Sequence, residues 1–275
     1  MVAKIQPEDL TDTQQAALEE LLFRLADDEY VQGERLIEWQ IYAPTLESDL
    51  ALANIAQDEF GHARLWYDLL QELGYSESEV LWERPADEFR HSTLVELPFE
   101  EGDWADVIVR SYLYDAAERL RLESLTETSY APLADRVGKA LSEERYHLEN
   151  AQNWLDRLCE GDGESRGRVQ AAVERLFPHA LSLFAEPEYE GELMESGFQT
   201  VSTSDLRVEW LDTVIPYLES LGLDVPDPEE VERPTARGRD GTHTDHWFEL
   251  AEDFRRTYNE IDKPEPARIG RERKA

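Results

Sequence analysis

The chain has a single cysteine, Cys159, in 275 residues, which excludes an intrachain disulfide and suits a reducing compartment. It has no apolar run long enough to cross a bilayer, and its opening MVAKIQPEDLTDTQQ lacks the apolar core of a secretory signal. Positive charge is scarce as well. Against 62 Asp and Glu stand only 27 Lys and Arg, leaving a formal charge of −35 and a sequence pI near 4.4. Such a surface repels phosphate backbones and anionic lipid, so nucleic acid and membrane surfaces are excluded as partners. It stays well hydrated where salt screens its self-repulsion, and the cytoplasm of a halophile is the expected setting. Strand patterning, glycine-rich phosphate loops and nucleophile elbows are all absent. What remains, 41% hydrophobic and 10% aromatic, is the composition of a folded protein with a substantial core.

The apolar period is helical almost throughout. A first helix is expected from Thr11–Thr13, with Leu18, Leu21, Leu22, Leu25, Glu29, Gln32, Leu36 and Trp39 on one stripe. Pro44 in YAPT breaks it, and a second helix capped at Thr45 or Ser48 carries Leu52, Ile55, Glu59, His62, Trp66 and Leu69 to a stop at Gly74. Residues 75–103 read as a crossover with short helical turns. A third helix from about Trp104 to Glu127 bears Ile108, Tyr112, Asp115, Glu118, Leu122 and Leu125, and SYAP (129–132) ends it. A fourth bears Val137, Leu141, Glu144, His147, Ala151, Leu155 and Leu158. Further helices are expected at about 165–185, 203–221 and 244–259. The whole is an all-α fold in one domain over 1–260, its core at about 11–160, with a basic and mobile tail at 261–275.

Glu59 and His62, within QDEFGHARLWY (57–67), share the apolar face of their own helix, as do Glu144 and His147. Glu29 lies fifteen residues before Pro44 and Glu59 fifteen after it. At 1.5 Å per residue each arm of this hairpin is about 22 Å, so the two carboxylates return to one height. Asp115 and Glu144, 29 residues apart around SYAP, repeat the arrangement. An acid, then Glu-x-x-His 29 or 30 residues on, thus occurs twice around a Tyr-Ala-Pro break, the mark of a duplicated helical hairpin. Two such hairpins form a four-helix bundle with Glu29, Glu59, His62, Asp115, Glu144 and His147 in one layer. Four carboxylates and two imidazoles cannot share an apolar layer without cations, since each buried unpaired ion costs several kcal/mol and close carboxylates cannot all ionise. Two divalent metals resolve this, and an oxygen and imidazole set without thiolate suits iron or manganese.

Other candidates are weaker. Glu118 stands one turn from Asp115 and is an alternative ligand or a neighbour of the ligands. Glu38 suits a polar network, Tyr112 and Tyr146 suit packing or phenols beside the ligands, and Glu143 and Glu149 read as solvated face. His243 and His246, in HTDH, suit an interface or capping role, there being no nearby Cys or His to complete a metal site. His91 and His179 read as surface or boundary residues.

LADDEYVQGERLIEW, LALANIAQDEFGHAR, RSYLYDAAE, EERYHLENAQNWLDRL and GRDGTHTDHW resemble segments of the phenylacetyl-CoA epoxidase (phenylacetate catabolism) family of ferritin-like proteins, over about residues 15–260. That family pairs a catalytic di-iron subunit with a shorter accessory one that has lost ligands. Length, LIEW, RYHL and GTHTDH are similar to the accessory type, whereas QDEFGH and the ligand layer are similar to the catalytic type. Glu29, Glu59, His62, Asp115, Glu144 and His147 match the catalytic pattern, with Asp115 where ferritin relatives carry Glu.

The resemblance implies a ferritin-like four-helix bundle with additional C-terminal helices, two iron ions and no organic cofactor in this chain. It implies a cytoplasmic subunit of a multicomponent oxygenase that epoxidises an aromatic acyl-CoA, phenylacetyl-CoA foremost, using O₂. Electrons would come from a separate flavin/iron–sulfur reductase, and a paralogous subunit or a second copy would pack on a helical face. By analogy with other Glu-x-x-His centres, Glu59 and Glu144 bridge the metals, His62 and His147 each bind one, and Glu29 and Asp115 are terminal ligands. Two alternatives stay open: a non-catalytic subunit that scaffolds a catalytic paralogue, and a ferritin-like metal-handling protein.

Overall fold

A computed structural model describes residues 4–98 and 103–260, so the tail at 261–275 lies outside the described residues. Among the described residues the chain is helical without strands, the one β contact being an isolated bridge between Ile5 and Tyr130. No described helix is long and apolar enough to cross a membrane. Two long hairpins dominate: α1 (Asp12–Ile37) with α2 (Leu46–Glu72), and α4 (Trp104–Leu125) with α5 (Ala131–Glu160). Between them a crossover contains two short turns and the one-turn helix α3 (Thr93–Glu96). Then follow α6 (Gly163–Ala180), α7 (Glu190–Glu195), α8 (Thr203–Ser220) and α9 (Asp245–Glu260).

Local chemistry sets these boundaries. The Thr11 side chain accepts the Gln14 N–H, and Gln14 reaches back to the Thr11 N–H, closing a capping box at the start of α1. Thr45 caps α2 by accepting the Ser48 N–H. Proline at the first turn of α5 costs nothing, because that N–H has no helical partner. The first helix stops before Trp39, which leaves the expected stripe and packs in the connecting turn against Trp104. The turn itself passes through Ile41 at φ 73°, a conformation no helix can contain. α7 is not expected from the sequence pattern, since six residues are too few to show a period.

The hairpins meet along α2 and α5, while α6 and α8 cover the outer side of α4. Trp210 of α8 is fully buried there and donates its indole N–H to the Leu113 carbonyl. At the other end, the C-terminal loop clasps the crossover. Gly238 and Gly241 run at φ 63° and 84°, and a side chain at either would collide with the carbonyl of His91 or Asp87. His91 is therefore no surface residue: it is fully buried, stacks on His243 at 4.3 Å and donates to Glu96 from Nε2 at 2.9 Å. His243 Nδ1 and the Thr244 N–H donate to the same carboxylate, each at 2.8 Å. His179 is half-buried with Nδ1 3.1 Å from the Thr93 hydroxyl, while the His246 carbonyl accepts from Arg35.

This clasp makes stability sensitive to acid. Burial resists ionisation of Glu96, but the donors from His243 and His91 hold its carboxyl down at about 2, against an ordinary 4.5. A depressed folded pKa gives stability that is fully present above 4.5 and lost as pH falls towards 2. Glu96→Gln should therefore lower the urea midpoint at pH 7 yet flatten its decline between pH 5 and 3. Parallel wild-type and variant curves over that range would refute the clasp's role.

Candidate metal centre

Each hairpin supplies one half of a buried layer midway along the bundle. Glu29 from α1, Glu59 and His62 from α2, and Glu144 from α5 bring ligand atoms within 4.8 Å of one another, and all four side chains are fully buried. His147 stands beside them, Nδ1 3.1 Å from Glu144 Oε1 and 3.8 Å from Glu59 Oε1. Asp115 of α4 closes the layer, close enough to Glu144 and Glu29 for each to raise its pKa. The imidazoles of His62 and His147 lie 5.9 Å apart, tilted by 34°.

Both histidines turn Nδ1 inward and Nε2 outward. His62 Nδ1 lies 3.3 Å from Glu144 and 3.5 Å from Glu29, while its Nε2 meets Glu143 Oε2 at 2.9 Å. His147 Nε2 approaches Asp58 Oδ2 at 3.4 Å. The pairing is crossed: Asp58, adjacent to Glu59 on α2, serves the histidine of α5, and Glu143, adjacent to Glu144 on α5, serves that of α2. An outer carboxylate taking the Nε2 proton leaves the Nδ1 lone pair aimed into the layer, the tautomer a metal requires. Glu143 is thus not the solvated-face residue its sequence position suggests. Asp58 has the same role, and the one sequence signal for the pair is the acid that precedes each Glu-x-x-His.

The electrostatics are those of a site short of positive charge. Burial, then Glu29, pushes the Glu59 carboxyl well above its ordinary range, and burial, then Glu144, does the same to Asp115. Burial opposes protonation of His62, yet Glu29 and Glu144 raise it to about 11; Glu144 likewise raises His147 to about 9. Against its own burial, Glu144 is brought down to about 2 by the two histidines. Both oxygens of Glu29, Glu59 and Asp115, one of Glu144, and Nδ1 of His62 have no hydrogen-bond partner despite complete burial. Orphaned buried acceptors of this number are rare in native folds, and two divalent cations would satisfy them together. The oxygen and nitrogen donor set fits iron or manganese.

The remaining candidates fall outside the layer's inner face. Glu118 is buried but ion-paired to Arg121, with one oxygen left over, whereas both Asp115 oxygens are unengaged. Glu38 follows the end of α1, exposed and paired to Arg35 at 2.5 Å. Tyr112 is buried against Tyr217 with ring centroids 4.9 Å apart. Tyr146 is half exposed, edge-on to His147.

Comparison with known proteins agrees with this architecture. The profile of the family described as "Phenylacetic acid catabolic protein" matches residues 1–263. The chain is 36% identical over 225 residues to the C-type subunit of 1,2-phenylacetyl-CoA epoxidase from Escherichia coli (strain K12), covering 81% of this chain and 88% of that one. It is 27% identical over 195 residues to the A-type subunit of the same epoxidase, covering 70% and 62%.

Proposed function

The chain belongs to the Phenylacetic acid catabolic protein family, and from that membership we propose that it is a di-iron component of a multicomponent oxygenase acting on an aromatic acyl-CoA. Phenylacetyl-CoA is the favoured substrate, with O₂ as oxidant, a separate reductase as electron source, and a paralogous subunit or second copy as partner. The observation that carries this reading is the set of orphaned, buried acceptors to which both hairpins contribute.

Glu29, Glu59, His62, Asp115, Glu144 and His147 would hold the two irons, which when bound supply the O₂-activating redox chemistry. The chain's own part is to position and to dry. Glu143 and Asp58 fix the histidine tautomers from outside the layer. Gln32, Ile55, Ala56 and Ala151 are buried on the same helices and keep bulk water from the carboxylates. Arg121 holds Glu118 by an ion pair, so that this buried acid one turn from Asp115 carries its own counter-charge.

Higher identity to the C-type than to the A-type epoxidase subunit favours a second reading, a scaffold for a catalytic paralogue. Iron per chain separates the two. Anaerobic reconstitution with Fe(II) should give about two irons per chain, followed by O₂ consumption that needs both reductase and phenylacetyl-CoA. A chain that holds no metal would instead be the scaffold, and one that oxidises iron without any organic substrate would be a metal handler.

A further inference from the structure

Basic residues are few in this chain, yet five arginines converge on one cleft. The cleft, about 700 Å³, lies between the 3₁₀ turn that follows α6 (Leu181–Phe184), the N-terminal part of α8, and the loop at 233–240. Arg24, Arg207, Arg233, Arg237 and Arg239 line it against two carboxylates, Glu186 and Asp240. Three of the arginines have structural duties: Arg24 pairs with Glu20, Arg207 with Glu229, and Arg239 with Asp28. Arg233 and Arg237 are exposed and form no salt bridge among the described residues. Asp240, the acid on the same loop, is capped by the Thr242 hydroxyl and N–H and lies close enough to Arg237 to feel its charge.

A patch of positive charge on a chain of −35 selects its ligand by size. An extended polyanion such as nucleic acid, or an anionic bilayer, would meet the acidic surface on every side. A compact phosphate-bearing molecule can instead sit against the arginines, which outnumber Glu186 and Asp240 in the lining and whose planar forks suit phosphate oxygens. The volume is that of a small-molecule site, and Phe184 and Pro234 offer flat apolar walls beside the charges. The cleft also points somewhere. Arg24, Phe184, Ala185 and Arg239 are shared with a smaller pocket of about 40 Å³ whose lining includes Leu21, Ala117 and Glu118. Glu118 is in turn close enough to Glu29 and Glu144 to feel their charge.

We propose that this cleft binds the phosphate-bearing nucleotide end of an acyl-CoA thioester, with Arg233 and Arg237 as the phosphate contacts. The inference rests on the acyl-CoA reading above and adds to it the place where the substrate is anchored.

Binding to the metal-free full chain tests the anchor without calling on the iron centre. Calorimetry should detect CoA and adenosine 3′,5′-bisphosphate, with adenosine at least tenfold weaker. Arg233→Gln/Arg237→Gln should lose roughly tenfold or more in affinity for CoA, as expected for charge-assisted contacts, while helicity and iron loading stay at wild-type level. Equal CoA affinity in wild type and double variant would overturn the proposal, as would no binding of the bisphosphate to wild type. ATP bound as tightly as CoA would overturn the thioester assignment. If CoA binds as expected but no iron loads, the oxygenase reading fails alone; if the double variant turns over thioester with unchanged KM, the anchor fails alone.

Discussion

Glu59→Ala and His147→Ala are expected to purify as helical proteins that retain less than about a tenth of wild-type iron. Either change deprives the layer of a donor atom that nothing nearby replaces, because Glu118 is engaged by Arg121 and Glu143 and Asp58 face the outer side of the histidines. Loss of one outer partner alone costs about 10–100-fold in metal affinity, and loss of a ligand itself must cost more. Stability should move in the opposite direction in the metal-free state. Glu59 is fully buried, lacks a hydrogen-bond partner and sits against Glu29, so it costs the apoprotein folding free energy. Glu59→Leu should accordingly raise the melting temperature of apoprotein, by an amount equivalent to about 1–4 kcal/mol. The same substitution should abolish the further rise expected of wild type on adding Fe(II). Full iron content in the alanine variants, or an apo Glu59→Leu protein that melts well below wild type, would sink the metal assignment.

The layer is legible in the sequence because its determinants are local. Glu-x-x-His is a spacing on a single helix, and equal arms on either side of a proline return the upstream acid to the same height; neither step needs knowledge of a distant contact. Asp58 and Glu143 are harder. Each sits one residue from a carboxylate of the buried layer, about 100° round its own helix, and gains its partner only from the neighbouring hairpin. Their positions are implied once α2 and α5 are known to pack side by side, and that packing is not a property of either helix alone. His91 shows the limit most clearly. Its partner His243 is 152 residues away, with no periodicity linking them, so a stacked pair inside the fold gives no joint signal in the sequence. The first helix ends early for a comparable reason. Trp39 continues the stripe by spacing, but Ile41 takes positive φ and the chain turns before the ring can join the bundle core.

A second large effect is expected at Asp28, where four parts of the chain meet on one buried carboxylate. Asp28 belongs to α1; its Oδ1 accepts the Ser92 N–H of the crossover at 2.7 Å, and its Oδ2 accepts from Arg121 of α4 at 2.9 Å and Arg239 of the C-terminal loop at 2.5 Å. Burial alone would favour the protonated acid, but Arg239 and Arg121 hold the carboxyl below its ordinary range. The two guanidiniums are not equally dependent on it. Arg121 keeps Glu118 as a second anion, whereas among the described residues Arg239 has the carbonyls of Arg24, Arg90 and Leu183 besides Asp28. Asp28→Ala thus strands a buried cation, and removing one partner of a buried pair costs about 3–5 kcal/mol. For a chain of this size that corresponds to a melting temperature lower by roughly 10 °C. Removing both charges should cost less than the sum of the single changes, so Asp28→Leu/Arg239→Met is expected to recover part of the loss. The comparison is best made on apoprotein by urea unfolding, where the neighbouring metal layer contributes no binding energy. A single Asp28→Ala variant within about 1 kcal/mol of wild type would mean that Arg239 finds compensation elsewhere. The C-terminal loop would then be held by its glycine turns, by Glu96 and by the carbonyls that Arg239 and His243 reach.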